Sequence, residues 1–316
     1  MASPRRAFVP GAGLGTRLGQ LTRETPKPLV PVAGKPLVFN ALDHLIAAGI
    51  SEIVVNTHHC AQRYGEVFPE GHYRGVPLAF RHEPVLLETG GGIKNVEDLL
   101  SGEPFIVYNG DILSDLPLEP AIAHHRDSGN EVTLVARSHG GPLHLALDFG
   151  APAEGGYPAG RVADIRQQLG RAPGTHLFTG IYLISPAFFQ RLATGAHPVV
   201  PVFLKMIETG ARLGAIVIDD GLWHDLGTRE AYLDAHRLLL GRDPSLPTVH
   251  PDAKIAPGAR ISGSTFVGPG ATIGEDVVLH DCVLWHGVTI ARGSRLTRCI
   301  VTDRRSLSGT HCDADF

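Results

Sequence analysis

The sequence has little of several things that would assign a protein to a class at once. Its four cysteines, Cys60, Cys282, Cys299 and Cys312, show neither framework spacing nor a C-x-x-C pair. That excludes a disulfide-stapled secreted fold and a thiolate zinc site, and leaves reduced thiols in a cytoplasmic protein. Long apolar runs are missing too. The run behind the basic residues Arg5 and Arg6 ends at Pro10 after Ala7-Phe8-Val9, too short for the core of a signal peptide, and no other segment approaches membrane-spanning length. Nor is there an excess of one charge: the formal net charge is −4 over 316 residues, which favours neither nucleic acid nor a membrane surface as partner. The 17 histidines are scattered, and pairs such as His58-His59 and His124-His125 read as surface residues rather than metal ligands.

Glycine is abundant, and its densest use is instructive. The stretch "PGAGLGTRLGQLTRETPKPL", residues 10–29, follows the short apolar run 7–9 as a loop follows a strand. Two better-known glycine loops do not fit. The dinucleotide fingerprint G-x-G-x-x-G fails because Thr16 and Leu18 stand where its last glycine belongs, and no lysine follows a glycine in the manner of G-x-x-x-x-G-K-[ST]. What remains is Gly13-Leu14-Gly15-Thr16-Arg17, nine residues, then Lys27. A guanidinium grips phosphate oxygens with paired hydrogen bonds and an ammonium acts as a movable point charge, so the two suit a polyphosphate together. The alternative is a glycine turn with two solvated basic residues.

Up to about residue 240, β-branched runs alternate with amphipathic stretches. "EIVVN" (52–56), "PFIVYNGD" (104–111), "EVTLVAR" (131–137), "HLFTGIYLI" (176–184) and "LGAIVID" (213–219) read as strands. "PLVFNALDHLIAAGI" reads as a helix stopped at Gly49. Such alternation predicts an α/β domain, residues 1–240, whose mostly parallel sheet is covered on both faces and binds ligands at the carboxyl ends of its strands. A proline-rich stretch, 241–251, reads as a linker. Beyond it apolar residues recur every six, at Val249, Ile255, Ile261, Val267, Ile273 and Leu279, and after a one-residue slip at Leu284, Ile290 and Leu296. That period describes a parallel β-helix over 252–316.

These residues together resemble the sugar-1-phosphate nucleotidylyltransferases that carry a C-terminal left-handed β-helix of the hexapeptide type. The glycine loop with Lys27 and "PKPLVPVAGKPL" matches the family's nucleotide-binding loop, and "YNGDILSD" and "LWHDLGTREAYLDA" are similar to its two metal-binding segments. The fold implied is a Rossmann-like mixed, mostly parallel sheet followed by a short left-handed β-helix. "LLETGGGI" with "FTGIYLI" is most similar to the N-acetylmuramate-1-phosphate uridylyltransferases and their mannose-1-phosphate guanylyltransferase relatives, and "DCVLWHGVTI" to the guanylyl branch. Two departures stand out. Pro10-Gly11-Ala12 replaces the usual Leu-Ala-Ala or Leu-Ala-Gly, and the Glu-Lys-Pro segment whose lysine meets the sugar phosphate is replaced by Asp164-Ile165-Arg166-Gln167, with Arg166 the nearest candidate.

The resemblance implies attack by a sugar 1-phosphate oxygen on the α-phosphorus of a nucleoside triphosphate, giving an NDP-sugar for cell-wall or surface-glycan synthesis. Ala12, Gly13, Gly15 and Thr16 would cradle the nucleotide, Arg17 and Lys27 offset its charge, and Asp111 and Asp225 hold Mg²⁺. Read without the resemblance, Asp111 is a turn aspartate and Asp225 a helix N-cap. Glu83 falls near the position where relatives read the base. A carboxylate only accepts hydrogen bonds, which suits guanine or uracil. Thr89 and Gly90 of the "TGGG" run would approach base and sugar ahead of a helix starting at Ile93-Lys94, while Asn109, Thr179 and Gly180 would border the sugar pocket. The β-helix would serve self-association. Two other readings compete: a catalytically silent regulatory subunit, and an acyltransferase using His280, His286 or His311.

Overall fold

The computed structural model of the protein describes residues 3–149 and 156–316; Met1 and Ala2, at the head of the basic N-terminal stretch, lie outside them. Two compact bodies interleave along the chain. The first comprises Met1–Leu14 and Val38–His224, the second Gly15–Leu37 and Asp225–Phe316. Neither boundary coincides with the change of sequence character near residue 240.

The first body is built on a sheet that has ten strands among the described residues, in the order Leu145–Asp148, Ala159–Ile165, Leu213–Val217, Val132–Arg137, Leu177–Ile184, Phe105–Tyr108, Arg6–Val9, Glu52–Thr57, Val76–His82, His72–Tyr73. Leu177–Ile184, Ala159–Ile165 and His72–Tyr73 run against the rest, so the sheet is mixed but mostly parallel. Every residue of Phe105–Tyr108, Val132–Arg137 and Leu213–Val217 is buried, as expected of strands covered on both faces. The helix Val38–Ala47 buries Val38, Ala41, Leu42 and Leu45, one apolar stripe at helical spacing, and the chain turns at Gly49, whose φ of +88° a side chain would resist. The core beneath the sheet is filled by Phe8, Val107, Leu134, Tyr182, Phe188 and Phe203.

His125 departs from its surface reading. It is 1% exposed, with Nδ1 at 2.9 Å from Thr133 Oγ1 and Nε2 at 3.1 Å from Ser185 Oγ. Burial, and then the neighbouring His124, push its pKa down to about 4.

In the second body three all-parallel sheets form the faces of a left-handed β-helix. Ile255 stacks on Ile273 and Ile273 on Ile290; Ile261, Leu279 and Leu296 line the second face, Val267, Leu284 and Val301 the third. The slip after Leu279 is therefore a coil closed by one residue fewer, and it recurs after Leu296, where Val301 comes next in the column; both leave the apolar column unbroken. Val249 already bridges to Val267, and the helix Arg229–Arg242 reaches into the proline-rich stretch, so little of 241–251 is free linker. No disulfide joins the four cysteines.

Candidate active site

In the first body, the strand Arg6–Val9 delivers the start of the glycine loop. Gly11 N–H donates to Asn56 Oδ1 at 2.7 Å, and Tyr64 Oη donates to Gly11 carbonyl at 3.0 Å. A Cβ on Gly11 would fall 2.6 Å from that hydroxyl and 2.8 Å from the Asn56 carbonyl, so only glycine fits. Ala12 is buried behind the loop and Gly13 is exposed at its crest. Asn56 in turn donates from Nδ2 to Glu83 Oε1 at 2.7 Å, and Glu83 Oε2 accepts the Leu87 N–H at 3.0 Å.

Glu83 is 0% exposed, with both carboxylate oxygens occupied. Through these bonds it ties the end of the strand Glu52–Thr57 to the "LLETGGGI" segment. The glycines of that segment differ from their reading as well. They lie inside the helix Glu88–Lys94, which ends rather than begins near Ile93-Lys94. Gly90 and Gly91 donate their N–H groups to His197 carbonyl, and a Cβ on Gly92 would sit 2.9 Å from Asn56 Nδ2 and 3.1 Å from Glu83 Oε1. These glycines serve close packing of the helix, while Thr89 alone of the run is exposed.

The strand Phe105–Tyr108 leads to Asn109, Gly110 and the half-buried Asp111. Gly110 N–H donates to Pro10 carbonyl at 3.3 Å, which holds this turn beside the glycine loop. Tyr64 feels both: burial raises its pKa and the Asp111 charge adds to the rise. Asn109 N–H donates to Gly180 carbonyl at 3.1 Å, and Gly180 has φ +80°, with a Cβ position 2.7 Å from Asn109 Nδ2. Here the pairing of Leu177–Ile184 with Val132–Arg137 shifts register between Phe178 and Tyr182. Thr179 occupies the irregularity, its hydroxyl donating to Val135 carbonyl at 2.8 Å and its carbonyl accepting Trp223 Nε1–H at 2.7 Å. Arg166, exposed at φ +55°, ends the strand Ala159–Ile165, where the buried Asp164 carboxylate accepts the Leu169 and Arg171 N–H groups.

In the second body the chain continues at Gly15, left-handed at φ +64°, where a Cβ would press to 2.8 Å from Thr22 Cγ2. The tight turn Thr16–Thr22 that follows is held by Thr22 Oγ1 donating to Gly15 carbonyl at 3.0 Å, and it leaves Thr16 and Arg17 exposed. Lys27 is buried, with Nζ 3.4 Å from Asp225 Oδ1, and Arg17 lies 4.0 Å from Asp225 Oδ2. Both basic residues thus converge on one carboxylate. Thr228, not Asp225, caps the helix Arg229–Arg242, accepting Ala231 N–H at 3.2 Å, so the N-cap reading of Asp225 falls away. No cluster of three or more His, Cys, Asp or Glu able to hold a metal occurs among the described residues. Asp111 in the first body and Asp225 in the second each offer the hard carboxylate oxygens that a divalent cation prefers.

The sequence profile of the nucleotidyl transferase family matches residues 7–242, and that of the GMPPB C-terminal domain matches residues 246–312. The chain belongs to the nucleotidyl transferase family. Among curated relatives, the mannose-1-phosphate guanylyltransferase of Mycobacterium tuberculosis (strain ATCC 25618 / H37Rv) is 30% identical over 303 residues, covering 92% of this chain and 83% of the relative. Mannose-1-phosphate guanylyltransferase 1 of Arabidopsis thaliana is 28% identical, covering 94% and 81%. Of solved structures, a UDP-glucose pyrophosphorylase from Acinetobacter baumanii superposes with a TM-score of 0.66 at 19% identity, covering 77% of this chain and 95% of that one. HddC from Yersinia pseudotuberculosis complexed with GMP-PN gives 0.57 at 21%, covering 73% and 97%. These structural likenesses establish the fold.

Three supports of this nucleotidyl transferase escape a reading of its sequence: Asn56, Tyr64 and His197. Asn56 ends a strand signal, "EIVVN", and its amide bonds to residues 45 positions earlier and 27 later. Only an asparagine just past an apolar run, where a hydrophobic residue would suit a strand, hints at such a role. Two of the three β-helix histidines named for acyl transfer are engaged locally, His280 with Asp281 at 3.2 Å and His311 with Ser308 carbonyl at 2.7 Å. Among the described residues no helix is long and apolar enough to cross a membrane.

Proposed function

We propose that this nucleotidyl transferase is a Mg²⁺-dependent sugar-1-phosphate guanylyltransferase of the cytoplasm, with GTP and mannose 1-phosphate as its substrate pair. Transfer of a nucleotidyl group from a nucleoside triphosphate to a sugar 1-phosphate, releasing pyrophosphate, is the reaction class of the family. The guanylyl assignment is carried by one observation: similarity to the Mycobacterium tuberculosis enzyme extends over 92% of the chain, nucleotidyl transferase and β-helix portions together.

Such a reaction needs no covalent intermediate, so positioning and electrostatics carry it. Backbone N–H groups of Ala12, Gly13, Gly15 and Thr16 would face the triphosphate. Lys27 is suited to the phosphates because its side chain is only 8% exposed and its ammonium is held near Asp225: it is a fixed charge that needs no reorganisation as negative charge shifts towards pyrophosphate. Arg17, with 68% of its side chain exposed, is a mobile fork that can close on a phosphate oxygen. Asp111 and Asp225 would hold Mg²⁺, which when bound neutralises charge on the phosphate oxygens. Asn109 and the backbone at Thr179 and Gly180 would face the sugar. Because Glu83 is buried, base choice falls to other groups.

Pyrophosphate release measured with Mg²⁺ and UTP, GTP, dTTP, CTP or ATP, crossed with mannose, glucose, N-acetylglucosamine, N-acetylmuramate and heptose 1-phosphates, tests this. Fastest turnover is expected with GTP and mannose 1-phosphate. Preference for UTP with N-acetylmuramate 1-phosphate would overturn the guanylyl assignment and leave the reaction class intact.

A further inference from the structure

The second body contains both the basic turn-and-hairpin segment Gly15–Leu37 and the β-helix, and a short polar relay joins them. After Lys27 the chain forms the 3-10 turn Lys27–Leu29 and then a tight hairpin, with Pro31 opposite Pro36 and Val32 opposite Lys35. Its corner residues, Ala33 and Gly34, have φ of +47° and +79°. Val30 N–H donates to Lys27 carbonyl at 3.1 Å and Leu37 N–H to Val30 carbonyl at 3.0 Å, so the position of Lys27 follows that of the hairpin.

The hairpin is gripped from outside. Tyr232 Oη donates to Pro31 carbonyl at 2.5 Å and accepts Trp285 Nε1–H at 2.9 Å. One turn along the same helix, His236 Nε2 accepts Ala33 N–H at 3.1 Å, while its Nδ1–H donates to Tyr232 carbonyl at 3.0 Å. Beneath the corner lies Phe266, whose Cζ would be 2.8 Å from a Cβ on Gly34. Tyr232, His236, Phe266 and Trp285 are all buried. Phe266 and Trp285 belong to successive β-helix coils. The helix is pinned at its start as well, Arg229 donating to Asp315 at 2.7 Å and to Arg298 carbonyl on the last coils. Asp225, which pairs with Lys27, stands just ahead of this helix. Lys27 and Asp225 therefore approach each other on two segments referenced to one β-helix-bound helix.

We infer that Tyr232 and Trp285 are positioning residues for nucleotidyl transfer: the β-helix, through the Trp285–Tyr232–Pro31 relay, sets the hairpin that holds Lys27 at its working place. A β-helix serving only self-association has no use for a buried hydrogen-bond chain ending on the backbone four residues from Lys27. Each buried link left unpaired is costly, so loss of the Tyr232 hydroxyl shifts the hairpin rather than being silent. The inference rests on the proposed role of Lys27, and a double-mutant cycle separates the two.

In the full-length protein, Tyr232→Phe is expected to lower kcat about tenfold, with a smaller change in KM for the triphosphate. In a Lys27→Ala background, assayed at raised enzyme concentration, the same change is expected to have no further effect. A general loosening of the structure would lower kcat by the same factor in both backgrounds, and that result overturns the inference. So does unchanged kcat in Tyr232→Phe when Lys27→Ala is impaired. Full activity of Lys27→Ala removes the role of Lys27, and the relay falls with it. Should Tyr232→Phe not fold, Trp285→Phe enters the cycle in its place, with the same two outcomes.

Discussion

Acidification should unfold this protein through two histidines that it buries neutral. His236 is 1% exposed, and burial pushes its pKa down to about 4 even though its bond to Tyr232 carbonyl opposes the shift. The reason is visible in its contacts: Nε2 accepts Ala33 N–H, so a proton there would face a donor. In the unfolded chain a histidine titrates near 6.5, about 2.5 units higher. The sign follows from the folded value being the lower one. Stability is complete above pH 6.5, and between about 6.5 and 4 the unfolded state takes up a proton that the folded state refuses. At about 1.4 kcal/mol per unit, the loss amounts to roughly 3 kcal/mol for His236 by pH 4. His125, also about 4, adds a similar amount in the other body. Against a total of about 5–15 kcal/mol for an ordinary fold, either loss is large. The assay is urea unfolding at half-unit steps from pH 8 to 4.5, comparing wild type with His125→Gln and His236→Gln. Each variant starts less stable but is expected to lose less on acidification, which separates the histidine from the carboxylates that titrate in the lower part of the range. Slopes identical to wild type in both variants would refute the linkage.

Asp111→Asn and Asp225→Asn should each reduce turnover by about two to three orders of magnitude, on the scale of losing one charge-stabilising group, with unchanged circular dichroism. For Asp225 the fold should persist at a cost of about 1–3 kcal/mol in thermal unfolding, because the asparagine keeps an oxygen for Lys27 but removes the charge facing an ammonium whose side chain is only 8% exposed. Full activity in both variants would sink the metal assignment. Glu83→Gln places an amide donor against either Asn56 Nδ2 or Leu87 N–H, and should cost about 1–3 kcal/mol in chemical denaturation while leaving the GTP-to-UTP ratio of kcat/KM as it was. A changed ratio would return Glu83 to base reading. Gly11→Ala forces a methyl against Tyr64 Oη and Asn56 carbonyl, and should raise KM for the triphosphate at least tenfold in steady-state assays; an unchanged KM would mean the loop backbone does not contact the nucleotide.

Strands were legible wherever both faces of the sheet are covered, because burial demands continuous apolar runs such as "PFIVY" and "LGAIV". The β-helix was legible down to its first phase slip, since each coil must present an apolar residue to the same column; the second slip, between Leu296 and Val301, showed only in the strand register. Local signals failed where a residue answers to distant partners. Glu83 looks like any loop glutamate, yet it is buried because Asn56 Nδ2 and Leu87 N–H require an acceptor between them. The "TGGG" run looks like a loop because glycine disfavours helices, but the approach of the Gly195–His197 backbone leaves no room for side chains on that helix. His125 sits in a polar stretch, and only the Thr133 and Ser185 hydroxyls make its burial tolerable.

Order along the chain was enough to determine the two architectures, which show as periodicity, and to carry the resemblance that implies the reaction class, because repeats and motifs are local in sequence. Which body each segment joins was decided by the tertiary structure alone. Residues 15–37 leave the sheet that precedes and follows them and pack with the helix Arg229–Arg242 and the β-helix. Hydrogen bonds such as Tyr232 to Pro31, spanning 201 positions, satisfy backbone groups that a buried hairpin cannot leave unpaired, and no local pattern in either segment announces the other.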